Sequence, residues 1–210
     1  MATPKKIWSI LLMAEIFILA FVSGFMPVKL ITGLNALMFI LIYFTSAMSI
    51  STLNKKFFIL VWISMGLQIL SQLFDYNEFV VTMQIVNIFF FSAIVGLLIN
   101  RIARAKSITE SVIFEAINGY LLLGVLFAAM VGLMFRFDPT SFSFNNISEV
   151  RNNEFIYFSF VTITTLGYGD VLPVQPYAKS LAMLAAVTGQ LYLTIIIALL
   201  VGKYSNQLTQ

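Results

Sequence analysis

The chain contains no cysteine and no histidine. The first absence excludes disulfides and thiolate metal sites. The second removes the commonest metal ligand and the side chain most often used as a general base near neutrality. Charge is scarce as well: 10% of the 210 residues are charged, against about 25% in soluble domains. Hydrophobic residues make up 60%, and mean hydropathy is +0.96. So few charges cannot cover a surface that faces water, and the composition places the chain in a bilayer. No P-loop, nucleic-acid motif, nucleophile constellation or internal repeat is present, so neither an enzyme nor a nucleic-acid binder is expected.

What is there in abundance is apolar sequence of spanning length, about 20 residues a window. Six windows qualify, with approximate limits 7–25, 30–53, 57–74, 79–100, 112–135 and 177–203. The first follows Lys5 and Lys6 much as a signal core would. Glu15 interrupts it and no small-residue cleavage site follows, so it reads as a retained helix. The fold class expected is all-α, a polytopic transmembrane helical protein.

With six spans both termini lie on one side. Lys5, Lys6, Lys55, Lys56, Arg101, Arg104, Lys106 and Lys203 fall there, eight of the twelve basic residues. The opposite side holds Lys29, Arg136, Arg151 and Lys179, together with Asp75, Glu78, Asp138, Glu149, Glu154 and Asp170, six of the nine acids. Cytoplasmic flanks collect Lys and Arg, so both termini are expected in the cytoplasm.

Residues 136–176 are too polar to span. A loop rich in Asn, Ser and charge (138–154) precedes an amphipathic run, 155–165, that reads as a short re-entrant helix. Then comes Thr164-Thr165-Leu166-Gly167-Tyr168-Gly169-Asp170. Gly167 and Gly169 can adopt φ > 0, which lets successive carbonyls turn toward one axis, and the Thr165 hydroxyl adds an oxygen at one end. Non-helical backbone at membrane depth survives only where protein or a water-filled cavity surrounds it. Neighbouring copies of the chain would have to close around this one.

The run resembles the potassium-channel signature T-x-G-Y-G-D, with Leu166 where Val or Ile is usual. From about Ile113 onward the chain resembles the helix–pore loop–helix unit of the tetrameric potassium channels. The resemblance implies a homotetramer of six spans per chain plus re-entrant helix and filter. Residues 1–106 would form a four-helix transmembrane domain and 107–210 the pore domain. Oxygens of Thr165, Leu166, Gly167, Tyr168 and Gly169 would replace the hydration shell of K+, the permeant ion. It also implies that Tyr157 and Phe158 brace the filter from behind, with Tyr157 donating to Asp170. Val161 stands where some bacterial members carry a buried Glu.

Gly189, nineteen residues after Asp170, has the offset of the family's inner-helix hinge. Gln190 and Leu193, then Ile197, Ala198 and Val201, are expected to line the pore, the last three as an apolar constriction. Gly202 reads as a close-packing glycine.

Four helices before a pore unit suggest a voltage sensor, but a sensor needs a series of cations in its fourth helix. Residues 79–100 carry no charge. Arg101, Arg104 and Lys106 read instead as inner-side anchors on a linker helix to the fifth span. They are also placed to meet anionic headgroups. Voltage dependence is therefore expected to be weak.

Two carboxylates lie within the spans. Glu115 is expected to pair with Arg104 or Lys106. Glu15 is expected to be protonated, to snorkel, or to bond polar residues such as Gln68, Gln72 or Asn87, with proton sensing as the functional alternative. No soluble regulatory domain is expected in the short polar tail after the last span. The partners expected are thus the lipid bilayer, three identical subunits and potassium ions, in a prokaryotic plasma (inner) membrane. Two other readings remain open: a potassium transporter subunit of the pore-loop superfamily, and a non-conducting or regulatory membrane sensor subunit.

Overall fold

The computed structural model describes residues 4–25, 28–49, 55–73, 77–144 and 152–208. Seven α-helices account for most of them: α1 (Pro4–Phe17), α2 (Val28–Ser49), α3 (Lys55–Leu73), α4 (Asn77–Arg104), α5 (Glu110–Phe137), α6 (Asn152–Ile163) and α7 (Pro176–Leu208). After α1 the first apolar window continues as a π turn over Ile18–Val22 and a 3-10 turn over Ser23–Phe25. The window marked the apolar stretch correctly but not its change of helical pitch.

Among the described residues three helices are long and apolar enough to cross a membrane: Val80–Arg104, Glu110–Phe137 and Pro176–Ser205. At 1.5 Å per residue each exceeds the hydrocarbon thickness of about 30 Å. The chain is an all-α polytopic membrane protein. Part of the polar loop (145–151, with Glu149 and Arg151) and Asp75 lie outside the described residues. So do the side chains of Lys5, Lys29, Lys55, Lys56, Gln72 and Glu78.

Helix α5 is the hub, packing against α1, α4, α6 and α7. It holds Leu122 to Ala128 buried as an unbroken run. Two of its glycines exist for space. A Cβ at Gly119 would lie 2.1 Å from the Tyr192 hydroxyl, and one at Gly124 would lie 2.5 Å from the Phe160 ring. Helices α7 and α6 therefore press their aromatics onto the α5 backbone itself. The helix stops where Pro139 forces Asp138 out of the helical region (φ −142°, ψ 98°). Pro176, with its fixed φ and no amide to satisfy, opens α7.

No linker helix joins α4 to α5. Helix α4 itself runs on to Arg104, and residues 105–109 are non-helical. The end is set by Lys203 of α7, whose ammonium donates to the carbonyls of Ile102, Ala103 and Ala105 at 2.7 Å each. Ile102 and Ala103 lie in the last turn of α4, where carbonyls run short of intrahelical partners, so the cation caps α4 and ties it to α7.

A small two-stranded antiparallel sheet supplements the helices. Strand β1 (Phe142–Phe144) pairs with β2 (Val171–Pro173), Phe142 opposite Pro173 and Phe144 opposite Val171. It fastens the segment after Asp170 to the turn that follows α5. At that turn Asp138 accepts from the Thr140 amide (2.9 Å), the Thr140 hydroxyl (2.6 Å) and the Tyr177 hydroxyl. Those donors, the Thr140 hydroxyl foremost, hold its carboxyl below the usual carboxylate range.

Candidate functional site: the loop between α6 and α7

Helix α6 ends by folding its last carbonyls over the following amides. Val161 O accepts from the amides of Leu166 (3.0 Å) and Gly167 (3.3 Å), and Thr162 O from that of Thr165 (3.0 Å). The chain then alternates in hand. Thr165, Gly167 and Gly169 have φ of +61°, +56° and +80°, while no such value occurs at Leu166 or Tyr168. Alternation of this kind can turn consecutive carbonyls to one side of the strand. For the two glycines it carries no steric penalty. For Thr165, β-branched, the left-handed region is an outlier of about 1–2 kcal/mol. No propensity flags Thr165, and its strain is visible only in the fold.

All seven residues Thr164–Asp170 are exposed in the single chain, Leu166 at 55% and Tyr168 at 69%. An apolar residue and a backbone left-handed at every second position stand open together here.

Behind the run, Tyr157 donates to Asp170 Oδ2 at 2.5 Å, and Asp170 Oδ1 accepts the Val171 amide at 3.1 Å. Donation to the carboxylate pushes the Tyr157 phenol up to about 12. Phe158 stands edge-on to Phe142 of β1 with centroids 5.2 Å apart. Strand β1 in turn pairs with the segment after Asp170. Two further bonds seat α6 on α5: the Ser159 hydroxyl donates to Gly124 O (2.6 Å) and the Tyr120 hydroxyl to Ile163 O (3.3 Å). Neither residue stood out in the sequence.

On α7, Gly189 is buried, Leu193 half-buried, and Gln190, Ile197, Ala198 and Val201 exposed. The helix runs unbroken through Gly189. Nothing among the described residues lies within 4 Å of a Cβ placed at Gly202, so none of them supplies the close packing expected there. Tyr192 anchors the helix, donating to Ala116 O of α5 at 2.8 Å.

At the end of the bundle opposite the run, polar residues join four helices. Glu115, 3% exposed, pairs with Arg101 at 2.7 Å rather than with Arg104 or Lys106. Because α4 and α5 are antiparallel, a carboxylate more than one turn inside α5 meets a cation about one turn inside α4. Arg101 also donates to Ser49 O (3.1 Å), Ser49 and Ser9 share a 2.9 Å bond, and Asn118 donates to Ser9 O (2.8 Å). Lys6 pairs with Glu110. Glu15 accepts from Thr45 of α2 at 2.6 Å; of the amide partners expected, the Gln72 side chain lies outside the described residues. Thr45 is a better-placed donor because α1 and α2 pack directly.

The helical membrane bundle thus carries, between α5 and α7, a short helix and a loop that is left-handed at every second residue. Residues 120–206 match the family described as "Ion channel". "Potassium channel K1" of Plasmodium berghei (strain Anka) is 30% identical over 95 residues, covering 42% of this chain and 5% of that protein. The "Voltage-gated potassium channel" of Aeropyrum pernix is 29% identical over 97 residues, covering 46% of this chain and 30% of the relative. "Potassium channel K2" of Plasmodium falciparum (isolate 3D7) is 32% identical over 73 residues, covering 34% and 5%. The chain thus spans under a third of the length of these relatives. No solved structure matches it significantly. Residues 120–206 are thus similar to ion channels, and the relatives that match are potassium channels.

Proposed function

We propose that the chain is the subunit of a homotetrameric, potassium-selective channel that conducts K+ passively and is not strongly voltage-gated. The observation that carries this reading is the backbone of Thr165–Gly169, left-handed at every second residue and wholly uncovered in the single chain. Four such strands around an axis would stack carbonyl rings, with the Thr165 hydroxyls at one end, and cover one another's exposed backbone. That arrangement replaces a hydration shell with oxygens. Tyr157, Asp170 and, through the sheet, Phe158 hold the strand from behind. Gly189 serves as the inner-helix pivot, and Gln190, Leu193, Ile197, Ala198 and Val201 line the route.

In this reading residues 1–106 form the peripheral four-helix domain and 107–210 the pore. Six spans leave both termini in the cytoplasm of a prokaryotic cell. The uncharged stretch 79–100 supports weak voltage dependence, since each elementary charge moved is worth about 2.3 kcal/mol per 100 mV. Glu15, held by Thr45, is a candidate proton-sensing group.

Purified protein in planar bilayers, under opposed potassium and sodium gradients, tests the proposal. The reversal potential is expected to track potassium, with little change in open probability across voltage. Equal sodium and potassium permeability would sink the filter assignment, and steep voltage gating the sensor assignment.

A further inference from the structure

Between the helices of residues 1–106 and those of the pore half lies a cavity of about 170 Å³ that the pore reading does not use, walled by α2, α3, α4, α5 and the start of α6. Its lining is mixed. Phe39, Val125 and Phe155 supply apolar wall, and Asn35, Gln84 and Asn87 supply amides. Asn35 is 5% and Asn87 9% exposed. The side-chain oxygens of all three amides accept no hydrogen bond. Buried polar atoms are nearly always paired, and an unpaired one costs about 1–3 kcal/mol. Three on one cavity, from α2 and α4, form a set of acceptors left without a partner within the protein.

The chemistry of a matching ligand follows. Oxygen acceptors call for an O–H or N–H donor. No acid is among the described residues of the lining, and its one ionisable group is the Arg136 guanidinium. A cationic ligand would therefore find no counter-charge and one like charge. A cavity of roughly 150 Å³ suffices for benzene, so this one admits a single ring. It also touches the pore helix directly: Phe155 and Ile156 line it, and Asn35 donates to Asn153 of α6 at 3.2 Å.

We propose that this cavity binds a small neutral amphiphile, an alcohol or amide donor on an apolar ring or short chain, and that its occupant stiffens the pore helix. Binding can be read without conduction, so the outcome is separate from that of the channel reading. The full chain in lipid nanodiscs is titrated with a ring-fluorinated benzyl alcohol and, separately, with its methyl ether, following the ligand by fluorine NMR.

The alcohol is expected to bind about tenfold more tightly than the ether, the factor one net hydrogen bond supplies. Asn87→Leu combined with Gln84→Met should lower the alcohol to the affinity of the ether and leave the ether unchanged. Ala129→Leu, which adds bulk at the lining, should weaken both ligands and serves if the amide variant does not fold. Bound alcohol should slow amide exchange across 153–160. Equal affinities, a tighter ether, or an amide variant that keeps the preference overturns the site. Unaltered exchange at saturating alcohol overturns its link to the pore helix.

Discussion

Gly189 of α7 lies directly against the backbone of Ile163, the last residue of α6: a Cβ there would stand 2.4 Å from the Ile163 carbonyl oxygen. The obstacle is backbone, which cannot step aside as a side chain can. Gly189→Ala is therefore expected to destabilise the protein by about 1–3 kcal/mol through overpacking. It should also disturb the loop that begins one residue beyond Ile163. A glycine kept only for bending would behave oppositely, since alanine favours a helix by about 1 kcal/mol. The sign of the change in thermal midpoint in detergent separates the two roles, and a rise would refute the packing argument.

The Tyr157–Asp170 bond makes a second prediction. Tyr157→Phe keeps the ring and removes the donor, at a cost of about 1 kcal/mol at this partly open site. Potassium-over-sodium permeability is expected to fall. The phenol's value in the fold, about 12, lies above its ordinary value near 10. The neutral, donating form is therefore complete below about pH 10 and is lost only as the pH rises through about 12. Selectivity of the unaltered protein should stay level from neutrality to about pH 10. A loss centred near pH 8 would show that another group controls it.

Arg101 and Glu115 form a pair whose acid is almost wholly buried. Removing one partner strands the other, at about 3 kcal/mol or more. Glu115→Gln should lower the unfolding midpoint markedly. Arg101→Met with Glu115→Met should recover most of the loss, because neither charge is then left unpaired. A double variant no better than the single would mean that the wider set, Ser49 O included, matters more than the pair.

Lys203→Met keeps the side-chain stem and removes the donors to Ile102, Ala103 and Ala105. Amide exchange in the last turn of α4 is expected to quicken severalfold. The unfolding free energy should fall by about 1 kcal/mol, in line with the loss of a charge at a helix C-terminus. Lys203→Arg should rescue only partly, since a planar fork cannot converge on three carbonyls as an ammonium does. Exchange at 100–105 that is identical in all three proteins would deny the link between α4 and α7.

Several features were legible before any fold was seen. Long uncharged runs announce membrane helices, because hydrocarbon accepts nothing else, and the freedom of Gly167 and Gly169 to take positive φ is intrinsic to glycine. Other features were not. Nothing in a β-branched threonine announces a left-handed conformation, and Thr165 holds it only because the end of α6 dictates its neighbours' hydrogen bonds. Glu115 pairs one helical turn away from the cations its sequence position suggests, and the linker helix after Arg104 does not form. In both cases the deciding group sits on another helix: Arg101 across the α4–α5 contact, Lys203 far along the chain on α7. Glu15 tells the same story, its bond going to Thr45 on the adjoining helix.

By itself, then, the sequence determined the solvent and the chemistry of the loop: a bilayer, through hydropathy, and a glycine-alternating polar run between apolar helices. Both are local, since transfer free energy and backbone freedom belong to individual residues. Only the tertiary structure decided which charges meet, where α4 ends, why residues 119, 124 and 189 must lack a side chain, and that three amides share a cavity. Those depend on which helix faces are pressed together, a matter of packing that no single stretch of chain contains.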